Sequence, residues 1–267
     1  MWDPRQYRVY ADQRARPFHD LMARVAAPEA AVVVDLGCGD GSLTALLAER
    51  WPSASVLGVD ASSDMLAAAA RHRIPDRLAF RSGVIESWHP DRPVDVLVSN
   101  AALHWVPEHP ALLERFAAAL SPGGWLAFQV PGNFTAPSHT ILADLRRSPR
   151  WREQHAAGAV RAPVLDPGQY LALLERLGCR VDAWETTYLH VLPGPDPVLE
   201  WVRGTALRPV LAALGPAGAA EFEHEYGARL RDAYPAGAHG TVFPFRRIFV
   251  VAQQPTPPIT VARGVTR

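Results

Sequence analysis

The sequence predicts a doubly wound α/β fold, a parallel sheet with helices on both faces. Three observations carry that expectation. The run Val32-Val33-Val34-Asp35-Leu36 is apolar and β-branched, as a buried parallel strand requires, and it stops in the glycine-dense turn Gly37-Cys38-Gly39-Asp40-Gly41. Ser55-Val56-Leu57-Gly58-Val59-Asp60 is a second apolar run, ending in an acid. Val94-Asp95-Val96-Leu97-Val98-Ser99-Asn100 is a third, ending in polar groups. Segments with helical apolar spacing separate these runs, and that alternation is the pattern of crossover-connected parallel strands.

The elements follow in order. Residues 1–28 open with Tyr7, Tyr10, Arg14 and Arg16 ahead of Pro17; an amphipathic helix with Phe18, Leu21, Met22 and Val25 is expected after the proline. Beyond the glycine turn, Leu43, Leu46 and Leu47 define a helix, with Ser42 or Asp40 placed to cap it. Residues 62–71 form another, capped by Ser62 or Ser63, with Met65 on its first turn. Leu78-Ala79-Phe80-Arg81 is a short strand leading to Gly83-Val84-Ile85-Glu86. Residues 110–120 are helical, then Ser121-Pro122-Gly123-Gly124 turns into a strand at 125–130. A helix is expected over 138–151. Asp166-Pro167-Gly168 starts the next, which ends at Gly178. Strands at 180–192 and 241–252 enclose residues 193–240. These read as three helices (197–206, 208–214 and 217–234), too long a link for a bare loop and therefore a cap over the strand ends. The expected organisation is one domain over 1–254 and a proline-rich, aperiodic, disordered tail over 255–267.

Composition narrows the function. Lys+Arg and Asp+Glu are both 27, so no global field draws nucleic acid or an anionic membrane. Every basic residue of that pair is Arg. This excludes a phosphate-loop or Schiff-base lysine and leaves guanidinium forks, which grip carboxylates bidentately. Two cysteines, one inside the turn, suggest neither a disulfide framework nor a metal set. No apolar run is long enough to span a membrane and no apolar leader follows Met1; with so few cysteines a cytoplasmic chain is expected, and with it a monomer without nucleic-acid or membrane partners.

The turn fixes the ligand class. Its spacing is G-x-G-x-G, not the G-x-G-x-x-G of dinucleotide sites, and Asp35 precedes it. A carboxylate there repels a pyrophosphate and suits a ligand carrying an ammonium and a sulfonium. Asp60 lies about 20 residues beyond the glycines, where an acid accepts from ribose hydroxyls.

The stretch Asp35-Leu36-Gly37-Cys38-Gly39-Asp40-Gly41 resembles motif I of the class I S-adenosylmethionine (SAM) methyltransferases. That resemblance implies a Rossmann-like sheet of seven strands, mostly parallel, with the last strand antiparallel. Other stretches resemble one family within the class, the trans-aconitate 2-methyltransferases. They are Trp2-Asp3-Pro4 with Tyr7, Arg14-Ala15-Arg16-Pro17, Asn100-Ala101-Ala102-Leu103-His104-Trp105, residues 181–188, Thr205-Ala206-Leu207-Arg208-Pro209 and residues 247–252. The resemblance implies SAM as cofactor, with Asp35, Gly37, Cys38, Gly39, Asp60, Ala61, Met65, Val84, Ile85 and Asn100 around it. It implies an N-terminal lid and a carboxylate substrate held by Tyr7, Arg14, Tyr188, Arg208 and Arg247, with His104 and Trp105 beside the methyl. Val84 stands where the class often has an adenine-binding Asp, and Glu86 is placed to compensate. Arg246 and Arg247 face opposite ways in a strand; the resemblance favours Arg247.

The chemistry needs no general base, because a carboxylate is ionised at neutral pH. The alternatives are a methyltransferase acting on a malonyl thioester, amine or phenol, a nicotinamide oxidoreductase, and a SAM-binding module without catalysis.

Overall fold

The computed structural model describes residues 11–152 and 164–256. Helix α1 (Ala11–Met22) precedes β1 (Val32–Leu36), α2 (Ser42–Arg50), β2 (Ser55–Asp60), α3 (Ser63–Ala69), β3 (Leu78–Ser82) and β4 (Val94–Asn100). Then come α4 (His109–Ala118), β5 (Leu120–Pro131), α5 (Pro137–Arg147), α6 (Pro167–Arg176) and β6 (Arg180–Leu192). The chain closes with α7 (Pro197–Arg203), α8 (Arg208–Ala213), α9 (Pro216–Ala233), the two-residue β7 (Ala236–Gly237) and β8 (Gly240–Gln253). The sheet runs β3-β2-β1-β4-β5-β8-β6, with β7 paired to β8. Strands β1 to β5 pair in parallel, and β8 is antiparallel to both β5 and β6. The expected mixed sheet is borne out, with a short extra hairpin arm.

Alternation within β1 sends Val33 into one core and Val34 into the other. The first core gathers Phe18, Leu21, Leu47 and Phe249 under α1 and α2; the second gathers Leu97, Phe116, Phe128 and Tyr170 under α4 and α6. Burial on both faces is why these strands are apolar without a polar period. A third cluster belongs to the cap: Trp201, Phe222, Tyr226 and Leu230 pack with Leu145 and Trp151 and with Phe243 and Phe245 of β8. The β5 ladder stops at Arg247, so β8 is paired on one side only at Pro244, where a residue without an N–H is tolerated.

Three local readings need correction. Pro17 lies inside α1, buried, and the helix begins at Ala11 rather than after it. The first turn of α2 is entered through Gly41 at φ 74°; Asp40 stands one residue earlier and accepts from the Ser42 hydroxyl at 2.7 Å. Helix α5 ends at Arg147, because Ser148 precedes Pro149 and is held extended. Elsewhere the end signals act as read. Asp166 forms a capping box with Gln169, Gly178 takes φ 85°, and the Ser62 hydroxyl accepts from the Met65 amide at 3.4 Å.

Asp95 locks the strand starts. Its carboxylate accepts from the Ala31 and Val32 amides at 2.8 and 2.9 Å and from the Ser121 hydroxyl at 2.5 Å, where the β4–β5 ladder shifts register. Burial pushes this carboxyl up, but the Ser121 hydroxyl, the two amides and the Arg92 charge outweigh it and hold it below the usual value. A lowered folded pKa gives stability that is present above the unfolded value and lost as pH falls through the folded one. Asp95→Asn should therefore cost about 1–3 kcal/mol at pH 7 in urea unfolding, and the gap to wild type should narrow as pH falls through the lowered range of the folded carboxyl.

Candidate active site

The C-terminal ends of β1, β2 and β4 frame a cavity of about 350 Å³. This is the end at which open parallel sheets gather ligands. The turn after β1 makes its floor. Gly37, Gly39 and Gly41 all take left-handed φ (79°, 56° and 74°). A Cβ on Gly37 would stand 2.2 Å from the Ala102 Cβ, whereas one on Gly39 would meet open space. Close approach closes the floor at Gly37; the surface stays open at Gly39.

Asp60 ends β2 beside that floor. Its Oδ2 accepts from the Gly39 amide and its Oδ1 from the Ser62 amide, both at 2.8 Å. Thus one carboxylate ties two turns together, and it still lines the cavity. Ala61, Met65, Val84, Ile85, Glu86 and Asn100 complete the wall. Val84 is 47% exposed, an apolar surface on that wall.

Asp35 and Cys38 sit beneath the turn, outside the lining. The Asp35 Oδ2 accepts from the Thr44 hydroxyl at 2.7 Å; its Oδ1 is buried without a hydrogen-bond partner among the described residues. Burial pushes this carboxyl up to about 6, the Thr44 hydroxyl opposes the rise, and the Asp60 charge adds to it. Burial also pushes the Cys38 thiol up, so it is an inert packing group.

A smaller cavity, about 80 Å³, opens across Asn100, Ala101 and Trp105, which line both spaces. Arg247 lines it with His104, His139, Phe134, Trp201 and Phe245. Arg247 is 6% exposed, its guanidinium 4.5 Å from the Phe245 ring centroid. Arg246 faces the other way, ion-paired to Glu185 at 2.5 Å and to Asp166 at 3.1 Å. A cavity of about 610 Å³ lies at the opposite, N-terminal ends of β1 to β3, away from these groups.

The other substrate-side expectations separate. Tyr188 lies outside both cavities; its hydroxyl donates to Asp20 of α1 at 2.6 Å, and Arg16 stacks on its ring at 5.0 Å. Arg208 is half-buried at the start of α8, also outside the lining. Tyr7 lies outside the described residues, as does the side chain of Arg14. The tail from 257 onward is likewise outside them. His190 is held neutral: burial, then the charges of Arg247 and Arg16, push it down to about 4.

His139 and Gln129 escaped the sequence reading. His139 follows Ser138, whose backbone is gripped by two cap tyrosines: Tyr226 donates to the Ser138 carbonyl at 2.5 Å, and the Ser138 amide donates to the Tyr234 hydroxyl at 3.1 Å. No local pattern marks either residue, since α5 meets α9 only in the fold.

A doubly wound sheet with a glycine turn pressed on the β4 turn and an acid ending β2 defines a nucleoside-binding domain of the methyltransferase class. A family model described as a methyltransferase domain matches residues 10–183. The trans-aconitate 2-methyltransferase of Streptomyces avermitilis is 52% identical over 261 residues, covering 95% of this chain and 97% of the relative. That of Streptomyces coelicolor is 53% identical over 264 residues, covering 95% and 87%. The chain belongs to the trans-aconitate 2-methyltransferase family. Solved structures share the fold at low identity. The YcgJ protein of Bacillus subtilis superposes with a TM-score of 0.57 at 16% identity over 89% of this chain and 97% of that one. Phosphoethanolamine N-methyltransferase 2 of Haemonchus contortus, solved with S-adenosylhomocysteine, gives 0.54 at 16% over 90% and 53%.

Two outcomes test the geometry. The raised folded value of Asp35 means its contribution to stability is fully present below the unfolded value near 3.8 and lost as pH rises through about 6. Asp35→Asn keeps an acceptor for Thr44, so the ligand-free variant should be about 2–3 kcal/mol more stable than wild type at pH 7 and equal to it near pH 4, by urea unfolding. Asp60→Ala should weaken S-adenosylhomocysteine binding by about 1.5–3 kcal/mol in calorimetry. Unchanged affinity would remove Asp60 from the site.

Proposed function

We propose that this chain transfers the methyl group of SAM to one carboxylate of trans-aconitate, forming a monomethyl ester. The observation that carries the reading is Arg247, buried in a small cavity that opens onto the glycine-floored one, in a chain about half identical to enzymes of that name. The reading includes a monomer of the cytoplasm with no nucleic-acid or membrane partner. Zero net charge supports the lack of a nucleic-acid partner, and no helix among the described residues is long and apolar enough to cross a membrane.

The residues present fit the cofactor. Gly39 leaves open space beside backbone, Asp60 presents a carboxylate to a ribose, and Met65, Val84 and Ile85 form an apolar shelf for a base. When bound, SAM supplies an electrophilic methyl on a sulfonium. The protein's task is then alignment and dehydration. Arg247 holds a carboxylate through its planar fork. Phe134, Trp201, Trp105 and Phe245 wall the small cavity and keep water from the nucleophile. The substrate oxygen is already ionised, so His104 has no proton to remove.

The direct test is incubation with SAM and trans-aconitate, with the methyl ester identified by mass spectrometry; no ester from trans-aconitate overturns the reading. Arg247→Ala should raise KM for trans-aconitate by about 2–5 kcal/mol in free-energy terms and leave S-adenosylhomocysteine affinity unchanged. Arg208→Ala should have the smaller effect, since Arg208 lies off the lining. Activity should be flat from about pH 6 to 8. A steep rise through that range, abolished in His104→Ala, would identify an amine or phenol acceptor instead.

A further inference from the structure

The two cavities are joined by a buried polar relay with a fixed direction. Gln129 lies in mid-β5, 1% exposed. Arg247 Nη1 donates to its Oε1 at 3.3 Å, and its Nε2 donates to Asn100 Oδ1 at 2.7 Å. The backbone is engaged as well: the Ala101 amide donates to the Gln129 carbonyl at 3.0 Å, and Ala101 takes φ 53°. A non-glycine residue in that region stores strain, which collects where a turn is shaped for a ligand.

The direction follows from donor chemistry. Arg has donors only, so the Gln129 oxygen must face Arg247 and its NH2 must face Asn100. Asn100 must then offer its oxygen to Gln129, so its NH2 is not used in that bond, on a residue that lines both cavities.

We propose that Gln129 is a positioning residue for the methyl transfer. It orients the Asn100 amide so that an N–H, never a carbonyl oxygen, meets the substrate carboxylate while Arg247 holds the molecule. This rests on the trans-aconitate reading. A carboxylate presented to an amide oxygen would be repelled; presented to an N–H it is held, with its second oxygen left free to attack. Substrate grip and nucleophile alignment thereby share one hydrogen-bonded line.

Gln129→Glu keeps the shape and reverses the instruction. A carboxylate at 129 accepts from Arg247 and from Asn100, so the Asn100 amide turns and its oxygen faces the cavities. Gln129→Glu should keep S-adenosylhomocysteine affinity, raise KM because its carboxylate pairs with Arg247, and lose about a hundredfold in kcat because the Asn100 amide is turned. Gln129→Met, which removes the oxygen that Arg247 Nη1 meets but imposes no orientation on Asn100, should raise KM and lose only a fewfold in kcat. Wild-type kcat in Gln129→Glu, or an equal loss of kcat in both variants, overturns the assignment. A second readout needs no acceptor. In the S-adenosylhomocysteine complex, side-chain amide hydrogen exchange by NMR should show the Gln129 NH2 protected and that of Asn100 open in wild type. The Asn100 NH2 should become protected in Gln129→Glu. An Asn100 amide protected in both forms also overturns the proposal, whatever acid the enzyme methylates, whereas inactivity of wild type toward trans-aconitate counts only against the reading beneath it.

Discussion

The ligand edge depends on one backbone constraint: the chain leaving β1 must turn within Gly37–Gly41 while pressed against the chain leaving β4. The constraint is steric. A side chain on Gly37 would collide with Ala102, one on Gly41 would stand 2.7 Å from the Phe80 ring, and one on Gly58 of β2 would meet that ring at 2.6 Å. All three positions are glycine because the Ala102 methyl and a core aromatic already fill the space, and two of them also need φ that L side chains rarely adopt. What the packing leaves open is Gly39. The same contacts that close the fold therefore decide which amide borders the ligand, and Asp60 then holds that amide in place.

A neutral chain that handles a polyanion must place its positive charge locally. Arg203 and Arg246 are consumed by carboxylates of the surface and the cap. Strand β8 alternates: Arg246 faces Glu185, so Arg247 faces the opposite side, where the cap and Phe245 bury it. Burial makes it costly and therefore effective, since an arginine in a low-dielectric cavity gains more from a carboxylate than one in water. Burial first, and then the charges of Arg247 and Arg16, keep His190 neutral.

How much was legible follows from how local each signal is. The strands, the glycine turn and Asp60 are written in short-range patterns, and the structure reproduces them closely, except that β5 starts at Leu120 and takes in the expected turn at 121–124. Pro17 was misread because a proline reads as a helix start, yet the buried face of Phe18, Leu21 and Met22 carries α1 across it. Alternation told that Arg246 and Arg247 must part; the cap told which one turns inward. The resemblance put Tyr188 toward a substrate; in the structure its hydroxyl donates to Asp20 of α1, a contact that only the fold creates. Gln129 was invisible for a simpler reason: in the apolar run of β5 it reads as one more core position. Only the registers of β4 and β8 against β5 bring Asn100 and Arg247 to it.

Asp35 shows how stability and ligand choice meet in one group. A carboxyl 2% exposed, with one oxygen unpartnered and another acid nearby, is a cost to the empty fold. A polar neutral residue would pack there with less penalty, so fold stability alone does not account for an acid. On the proposed function a cationic ligand above the turn does, because its charge would offset the carboxylate in the same low-dielectric surroundings where water cannot. The anion then costs least when the cofactor is present, and its burial becomes a preference for a ligand carrying positive charge over a pyrophosphate. The glycine spacing and this acid thus act on the same choice, one by shape and the other by charge.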